Sequence, residues 1–352
     1  MRLWRIAASL ALLALLGFAI DVPAALARLG DAEPGWVLGA LLLVQAQVVL
    51  SASRWRLTAE RLGQRIAARR AIAEYYLATL LNQVLPGGVA GDAARAVRGA
   101  VGGGVSRRED EARTAPAGSL ARSAQGVVIE RLAGQISLVA VALGGLLAWP
   151  FLLDSPPPRA GLLALGGALG LLAGAALLIP TLARAGPRRW RHAARRVAPA
   201  LRRCWLDDGA WLVQGTLSLA VTASYVGVFA LAGLALGAPL SPAVLASVVP
   251  LTLASMLVPL SIGGWGLREA AAAALWPLAG STAEIGVATS VLYGLLSLAG
   301  SLPGLLVLIR TPGAGEPRVR RGGGTERAAS EPLQVSSPGG ARAACATRCR
   351  AP

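Results

Sequence analysis

Two arginines of this chain each follow a Pro/Gly-rich break in an apolar segment, and both could bind an anionic group. Arg95 comes nine residues after Pro86, and Arg268 comes nine residues after Pro259. Each would lie near the N-terminal part of the next helix, where free N–H groups and the positive end of the helix dipole favour an anion. The guanidinium group adds a bidentate fork that matches phosphate. The two arginines are therefore the first candidates for a phosphate-binding site.

Charged neighbours extend this candidate site. Asp92, Glu130 and Glu269 could bind a cationic headgroup or relay protons, because ionisable side chains inside a membrane are costly and tend to be functional. The whole candidate headgroup-binding set is Arg268, Glu269, Arg95, Asp92, Glu130 and Arg131. The alternative is internal pairing that only closes the fold, with these expected partners: Glu130 or Glu284 for Arg268, and Asp92 or Glu74 for Arg95. For Glu130 the structural ion pair is the favoured interpretation, and Arg95 is expected nearer the cytoplasmic surface than Arg268.

The two breaks share their spacing. Pro86 to Gly91 and Pro259 to Gly264 are each five residues, and both breaks follow an apolar run and lead into an alanine-rich one. Irregular backbone at membrane depth survives only inside protein or beside a wet cavity, so the glycines are most simply needed for tight backbone. The matched spacing predicts a repeat of broken segments, as in transporters that bind substrate at such breaks. The predicted break residues are Pro86, Gly87, Gly88, Gly91, Pro259, Gly263, Gly264 and Gly266.

Composition indicates a polytopic membrane protein. Of the 352 residues 55% are hydrophobic and 15% charged, and the mean hydropathy is +0.58, which excludes an ordinary soluble chain of this length. All 34 basic residues are Arg and the net charge is +16. They lie between apolar runs, which argues against nucleic-acid binding. One His and three Cys provide neither a disulfide framework nor a metal site, so no metal or cofactor is expected.

The apolar runs predict an all-α fold of about six to eight transmembrane helices. Arginine-rich segments after the second span and at Arg184–Arg203 indicate cytoplasmic loops, and both termini are then cytoplasmic. The Gly/Pro/Ser/Arg-rich residues 311–352 are expected to be a disordered basic cytoplasmic tail. The predicted unbroken spans are Ile6–Ile20, Trp36–Ser53, Gly126–Pro150, Gly161–Pro180, Trp211–Gly237 and Glu284–Ile309. The tryptophans expected in interfacial belts are Trp36, Trp55, Trp149, Trp205 and Trp211.

The broken segments are predicted to be re-entrant hairpins, Ala71–Val97 and Ala243–Ala279. For the first hairpin the alternative is an interfacial amphipathic helix. Ile6–Ile20 is of signal-peptide length, although an uncleaved first span is favoured. Because span directions reverse around the two breaks, residues 36–150 and 211–309 are candidate halves of an inverted repeat within a membrane domain of residues 1–310.

These residues resemble the transmembrane, flippase-like region of bacterial lysylphosphatidylglycerol synthases. The resemblance covers roughly residues 5–310, and Ala90 stands where the family's first motif is expected to have Gly. The 42 residues 311–352 are too few for the soluble aminoacyltransferase domain of the full-length synthases, so lysine transfer is not expected. The motifs that carry the resemblance are Arg54-Trp55, Leu85-Pro-Gly-Gly-Val-Ala-Gly-Asp92 with Arg95, Glu130-Arg131-Leu132, and Leu260-Ser-Ile-Gly-Gly-Trp-Gly-Leu-Arg-Glu269.

The resemblance implies a bacterial plasma-membrane transporter and not an enzyme. Its substrate would be an anionic or aminoacylated phospholipid, or a polyprenyl-linked lipid, moved between leaflets. Its partners would be membrane phospholipids, with a separately encoded synthetase or glycosyltransferase as a further candidate. The main alternative is a scaffold for such an enzyme, and a membrane-embedded transferase with Asp92 or Glu269 as its base is less favoured.

Overall fold

The computed structural model describes residues 29–85, 89–102, 117–153, 187–257 and 263–310, with isolated positions between 154 and 186. The chain divides into the units Met1–Thr311 and Pro312–Pro352, and every described residue belongs to the first. The predicted span Ile6–Ile20 and the tail 311–352 lie outside the described residues, as does Gly161–Pro180 apart from isolated positions.

The described residues form helices joined by short turns, without a strand among them. The described residues 236–257 contain one turn of π-helix, Val244–Val248, and a 3₁₀ turn, Ser255–Leu257. The α-helices are α1 Pro34–Arg61, α2 Ala68–Val84, α3 Ala90–Gly102, α4 Ala117–Leu152, α5 Arg188–Trp205, α6 Ala210–Ala235, α7 Val249–Ala254, α8 Leu267–Leu275, α9 Ala283–Ser301 and α10 Pro303–Arg310.

Among the described residues, four stretches of helix are long and apolar enough to cross a bilayer: Pro34–Arg61, Leu120–Leu152, Asp207–Ala235 and Ala283–Ile309. Each coincides with one predicted span, although Trp211–Gly237 was predicted to end two residues later than the helix does, and together they confirm a helical multi-pass membrane protein. Two further predicted spans fall outside the described residues, so the expected total of six to eight stays a prediction.

Apolar side chains lie on the surface and polar side chains lie in the interior, as contact with lipid requires. Large apolar side chains such as Leu42, Leu147 and Phe151 are exposed. Polar side chains face inward, because hydrocarbon cannot satisfy their hydrogen bonds. The buried polar side chains of α1 and α6 include Gln47, Thr58, Gln214, Ser218, Thr222 and Ser224.

Helices α1 and α6 are antiparallel neighbours. At one end the Glu33 N–H donates to the Ala235 carbonyl at 2.8 Å, and at the other Gln214 Nε2 donates to Thr58 Oγ1 at 2.9 Å. Opposite directions for these two spans are what the predicted topology requires. Deeper in the core Phe229 of α6 stacks on Tyr293 of α9, with ring centroids 4.4 Å apart.

The π-helical turn before α7 has a local cause in Pro250. Proline has no N–H and its ring clashes with the carbonyl four residues back in an α-helix. The Val249 N–H instead bonds the Val244 carbonyl, five residues back, which widens the helix at this point. Gly145 of α4 packs against this turn so closely that a Cβ there would overlap the Ala246 carbonyl.

The arginine-rich segment expected as a loop at Arg184–Arg203 is a helix, α5, over most of its length. Its Ala200 and Cys204 are buried in a small cluster with Leu62, which directly follows α1, and Ile129 of α4. The thiol of Cys204 is buried, and desolvation raises its pKa to about 11. An apolar stripe among the arginines therefore binds this helix to the bundle.

The expectation of interfacial tryptophans is wrong at two positions. Trp55 and Trp149 are buried in the protein, whereas Trp36 and Trp211 are exposed. Trp55 packs in a cluster with Ala52, Ala96 and Val127 of α1, α3 and α4, and Trp149 lies in the main apolar core.

We predict that residues 65 and 202 share one side of the membrane and residue 241 the other. Arg65 and Arg202 lie within arginine-rich segments. Ser241 follows the C-terminal end of α6, whereas Arg202 precedes its N-terminal end, and all three residues are exposed. In a protein with serine at the native cysteines, a membrane-impermeant maleimide should label Ser241→Cys in intact cells. Arg65→Cys and Arg202→Cys should react only with a permeant reagent, because positive segments remain inside. Impermeant labelling of either would reverse the predicted topology.

Candidate headgroup site

The carboxylate of Glu130 on α4 joins three other helices. Arg54 of α1 donates to Glu130 Oε1 from Nη2 at 2.6 Å, and Arg95 of α3 donates to Oε2 at 2.9 Å. The Tyr75 hydroxyl of α2 donates to Oε1 at 3.2 Å. Glu130 is 1% exposed, so both oxygens depend on these protein donors.

A second carboxylate, Asp92, extends the network. Asp92 Oδ1 accepts from Arg95 at 2.8 Å, and Oδ2 accepts from Arg131 Nε at 2.6 Å. Asn82 of α2 also approaches Asp92, at 3.4 Å. We name these residues the Glu130 cluster: Arg54, Tyr75, Asp92, Arg95, Glu130 and Arg131.

Small residues let the four helices approach closely enough for these contacts. A Cβ at Gly91 would overlap the Ala78 backbone, so α3 can pack on α2 only with glycine at this position. The Gly91 N–H donates to Asn82 Oδ1 at 2.8 Å, which caps the start of α3. The predicted need for tight backbone is thus confirmed at Gly91.

Arg95 is the member of the cluster with spare hydrogen-bonding capacity. Its guanidinium carbon lies 4.8 Å from the Trp55 ring centroid and 4.6 Å from that of Tyr75, so two aromatic rings fix its plane. The side chain is 1% exposed, yet Nε and Nη1 have no hydrogen-bond partner among the described residues. Leaving such a buried donor unsatisfied costs about 1–3 kcal/mol. Each of the two nitrogens is a separate donor that could bind an anionic oxygen.

Arg268 has a different environment. Its Nη2 donates to Glu269 Oε1 at 2.6 Å, and its Nε donates to Ser290 Oγ of α9 at 2.8 Å. Glu269 Oε2 accepts from the Gly266 N–H at 2.7 Å, which caps α8. The Tyr293 ring centroid lies 5.0 Å from the guanidinium carbon. We name Arg268 and Glu269, both 1% exposed, the Arg268 pair.

Several expected pairings differ in the structure. Glu130 or Glu284 as the partner of Arg268 is wrong, because Arg268 pairs with the adjacent Glu269. Pairing of Arg95 with Asp92 is confirmed, with Glu130 as a second partner, whereas Glu74 pairs with Arg98. The favoured ion pair at Glu130 is confirmed. Arg95 is buried instead of lying at the surface.

The second break lies against the end of α2, three residues before Pro86 in the sequence. A Cβ on Gly263 would be 3.0 Å from the carbonyl oxygen of Gln83, the last but one residue of α2. Gly263, Gly264 and Gly266 have φ of 56°, 86° and 87°, values that favour glycine. The remaining predicted break residues lie outside the described residues: Pro86, Gly87, Gly88 and Pro259.

Sequence reasoning missed the residues that complete the cluster. Arg54 directly follows the second predicted span, Trp36–Ser53, and so belongs to the segment predicted as an arginine-rich cytoplasmic loop, yet it is buried and also donates to Ser218 at 3.2 Å. Trp55 was expected at an interface, and Tyr75 was not singled out. The available signal was the motif Arg54-Trp55 together with polar residues recurring every four positions in the apolar α6, at 214, 218 and 222.

Metal-site geometry is not found in the part of the chain that the structure describes: no group of three or more His, Cys, Asp or Glu side chains there could hold a metal ion.

Fold and site together define a multi-pass helical membrane protein with a charged cluster buried between its helices. The family model described as the lysylphosphatidylglycerol synthase TM region matches residues 3–304. The chain therefore belongs to this family, as its motifs predicted. The searches of curated proteins and of solved structures found no match.

We predict that Arg268→Met destabilises the fold by about 3–5 kcal/mol, because it leaves the Glu269 carboxylate buried without its cation. The double variant Arg268→Met/Glu269→Gln should recover most of this loss. Equilibrium unfolding in a defined detergent measures both.

The control is Arg202→Met, which breaks the exposed pair between Arg202 and Asp207 and should cost less than about 1 kcal/mol. If Arg268→Met unfolds at the same denaturant concentration as the native protein, the structural role of the Arg268 pair is wrong.

Proposed function

We propose that the protein is a lipid transporter that moves a phospholipid between the two leaflets, with Arg95 binding the lipid phosphate. The observation that carries the proposal is the two buried donor nitrogens of Arg95, Nε and Nη1, which have no partner among the described residues. Membership of the lysylphosphatidylglycerol synthase TM region family and the multi-pass helical fold support it.

A lipid phosphate must cross a region in which charge is costly, so a transporter needs a cationic group at depth. Arg95 could meet this requirement when the helices around it separate, because a phosphate would add hydrogen bonds that it lacks. Arg268 would first have to release Glu269 and Ser290. The contacts therefore favour Arg95 over Arg268, which the sequence had placed first.

The other members of the Glu130 cluster keep Arg95 charged and oriented. Glu130 and Asp92 hold its Nη2, and the rings of Trp55 and Tyr75 hold its plane. With an aminoacylated lipid, the same carboxylates would attract the ammonium of the headgroup. Binding and release suffice for this function, and no bond is made or broken.

We further propose that the two breaks belong to re-entrant hairpins of an inverted repeat. The approach of Gly263 to Gln83 supports this, since it places the second break against the helix that leads into the first, and such transporters bind substrate where broken segments meet. The charged residues after each break, Asp92 with Arg95 and Arg268 with Glu269, would then be related positions of the two halves.

The proposal predicts that Arg95→Ala slows transport of a labelled anionic phospholipid in proteoliposomes about tenfold or more. This corresponds to the loss of one charge-assisted contact, about 1.5–3 kcal/mol, in the transition state. Arg95→Lys keeps the charge but loses the fork, so its rate should fall between the native and Arg95→Ala rates.

The matched control is Arg98→Lys, one turn further along α3, where the side chain is partly exposed and pairs with Glu74. Its transport rate should remain near the native one. Equal rates in all four folded proteins would refute the role of Arg95. A native protein that is inert alone and active only beside a second protein would select the scaffold alternative.

A further inference from the structure

We propose that a groove on the outside of the bundle binds a second membrane lipid, one whose headgroup carries both a phosphate and a primary ammonium group. The groove lies between α1, α2 and the start of α6 and has a volume of about 290 Å³. This volume is near the lower end for ligand pockets, enough for part of one acyl chain.

The walls of the groove are apolar. Leu57 of α1, Ile72 of α2, and Val213 and Leu217 of α6 line it. Val213 and Leu217 are one helical turn apart and so face the groove together. An acyl chain that packs against these four side chains would not cover any polar group of theirs, so this part of the groove suits hydrocarbon.

The mouth of the groove carries a charged pair. Arg56 Nε lies 2.8 Å from Glu60 Oε1, and the two side chains are 44% and 40% exposed. Such an exposed pair contributes little to stability because water screens it. A headgroup with both charges can engage both residues, its phosphate at Arg56 and its ammonium at Glu60.

Glu60 makes the site selective. It is the one acidic residue among six arginines in residues 54–70. The basic surroundings attract any phosphate, but Glu60 repels a headgroup with negative charge alone. An ammonium group converts that repulsion into attraction, which favours a phosphoethanolamine headgroup over a phosphoglycerol one.

The groove is separate from the Glu130 cluster. Arg54 and Arg56 point to opposite sides of α1, since two residues rotate a helix by roughly 200°. Arg54 is buried against Glu130, whereas Arg56 is exposed at the groove. A lipid can therefore bind here whether or not the protein transports lipid through the cluster.

The test is native mass spectrometry of the purified full chain with phosphatidylethanolamine and phosphatidylglycerol added in equal amounts. The native protein should retain more phosphatidylethanolamine. Glu60→Gln should lower the ratio of bound phosphatidylethanolamine to phosphatidylglycerol roughly tenfold, because it removes the contact to the ammonium. Arg56→Gln should weaken retention of both lipids.

Val213→Trp should fill the groove and reduce lipid retention. Leu212→Trp should not, because Leu212 is the exposed residue just before Val213 and does not line the groove. Arg202→Gln, from an exposed ion pair remote from the groove lining, should bind as the native protein does. An unchanged lipid ratio in Glu60→Gln, or equal retention in the two tryptophan variants, would overturn the proposal. Since the readout is binding, either result leaves the transport assay of Arg95 unaffected.

Discussion

The described bundle depends on the ion pairs and the hydrogen bond that the buried carboxylate of Glu130 accepts from three other helices. A charge in a low-dielectric interior is tolerated only with cations and donors around it, and removing one partner typically costs about 3–5 kcal/mol. Arg54, Tyr75 and Arg95 supply these donors from three different helices. One side chain therefore fixes the relative positions of α1, α2, α3 and α4. The same contacts hold the guanidinium of Arg95 in place, so the architecture and the electrostatics of the candidate site have a common origin.

The two arginines that follow the breaks, Arg95 and Arg268, lie in different environments. Arg268 is neutralised by the residue beside it, and Ser290 takes a further N–H, so this pair closes the start of α8 against α9. Arg95 shares its carboxylates with Arg54 and Arg131 and retains two donors without a partner among the described residues. Matching motifs thus produce one site that is internally satisfied and one that could accept a ligand. The difference arises from which helices pack around each arginine, not from the motif itself.

Hydropathy and arginine placement predicted the helical class, the positions of four spans and the identity of the charged candidates. Each of these properties depends on one continuous stretch of sequence, because contact with lipid requires apolar residues along a whole span. The partners were not predictable in the same way. Glu130 lies 76 residues from Arg54, and only the packing of α1 on α4 brings them together. Arg54 was assigned to a loop because arginines surround it, although α1 continues as a helix to Arg61. Helix α5 was missed because a narrow apolar stripe gives no hydropathy peak. Residues 86–88 and 258–262 lie outside the described residues, so the hairpins and the inverted repeat remain predictions.

The central claim is that Arg95 presents buried donor nitrogens that bind an anion. An experimental structure of the protein in a bilayer disc that contains an anionic phospholipid tests it most directly. The account predicts a phosphate oxygen at hydrogen-bonding distance, about 2.7–3.2 Å, from Arg95 Nε or Nη1. Protein acceptors bonded to both nitrogens would contradict the claim, because Arg95 would then have no donor left for a phosphate.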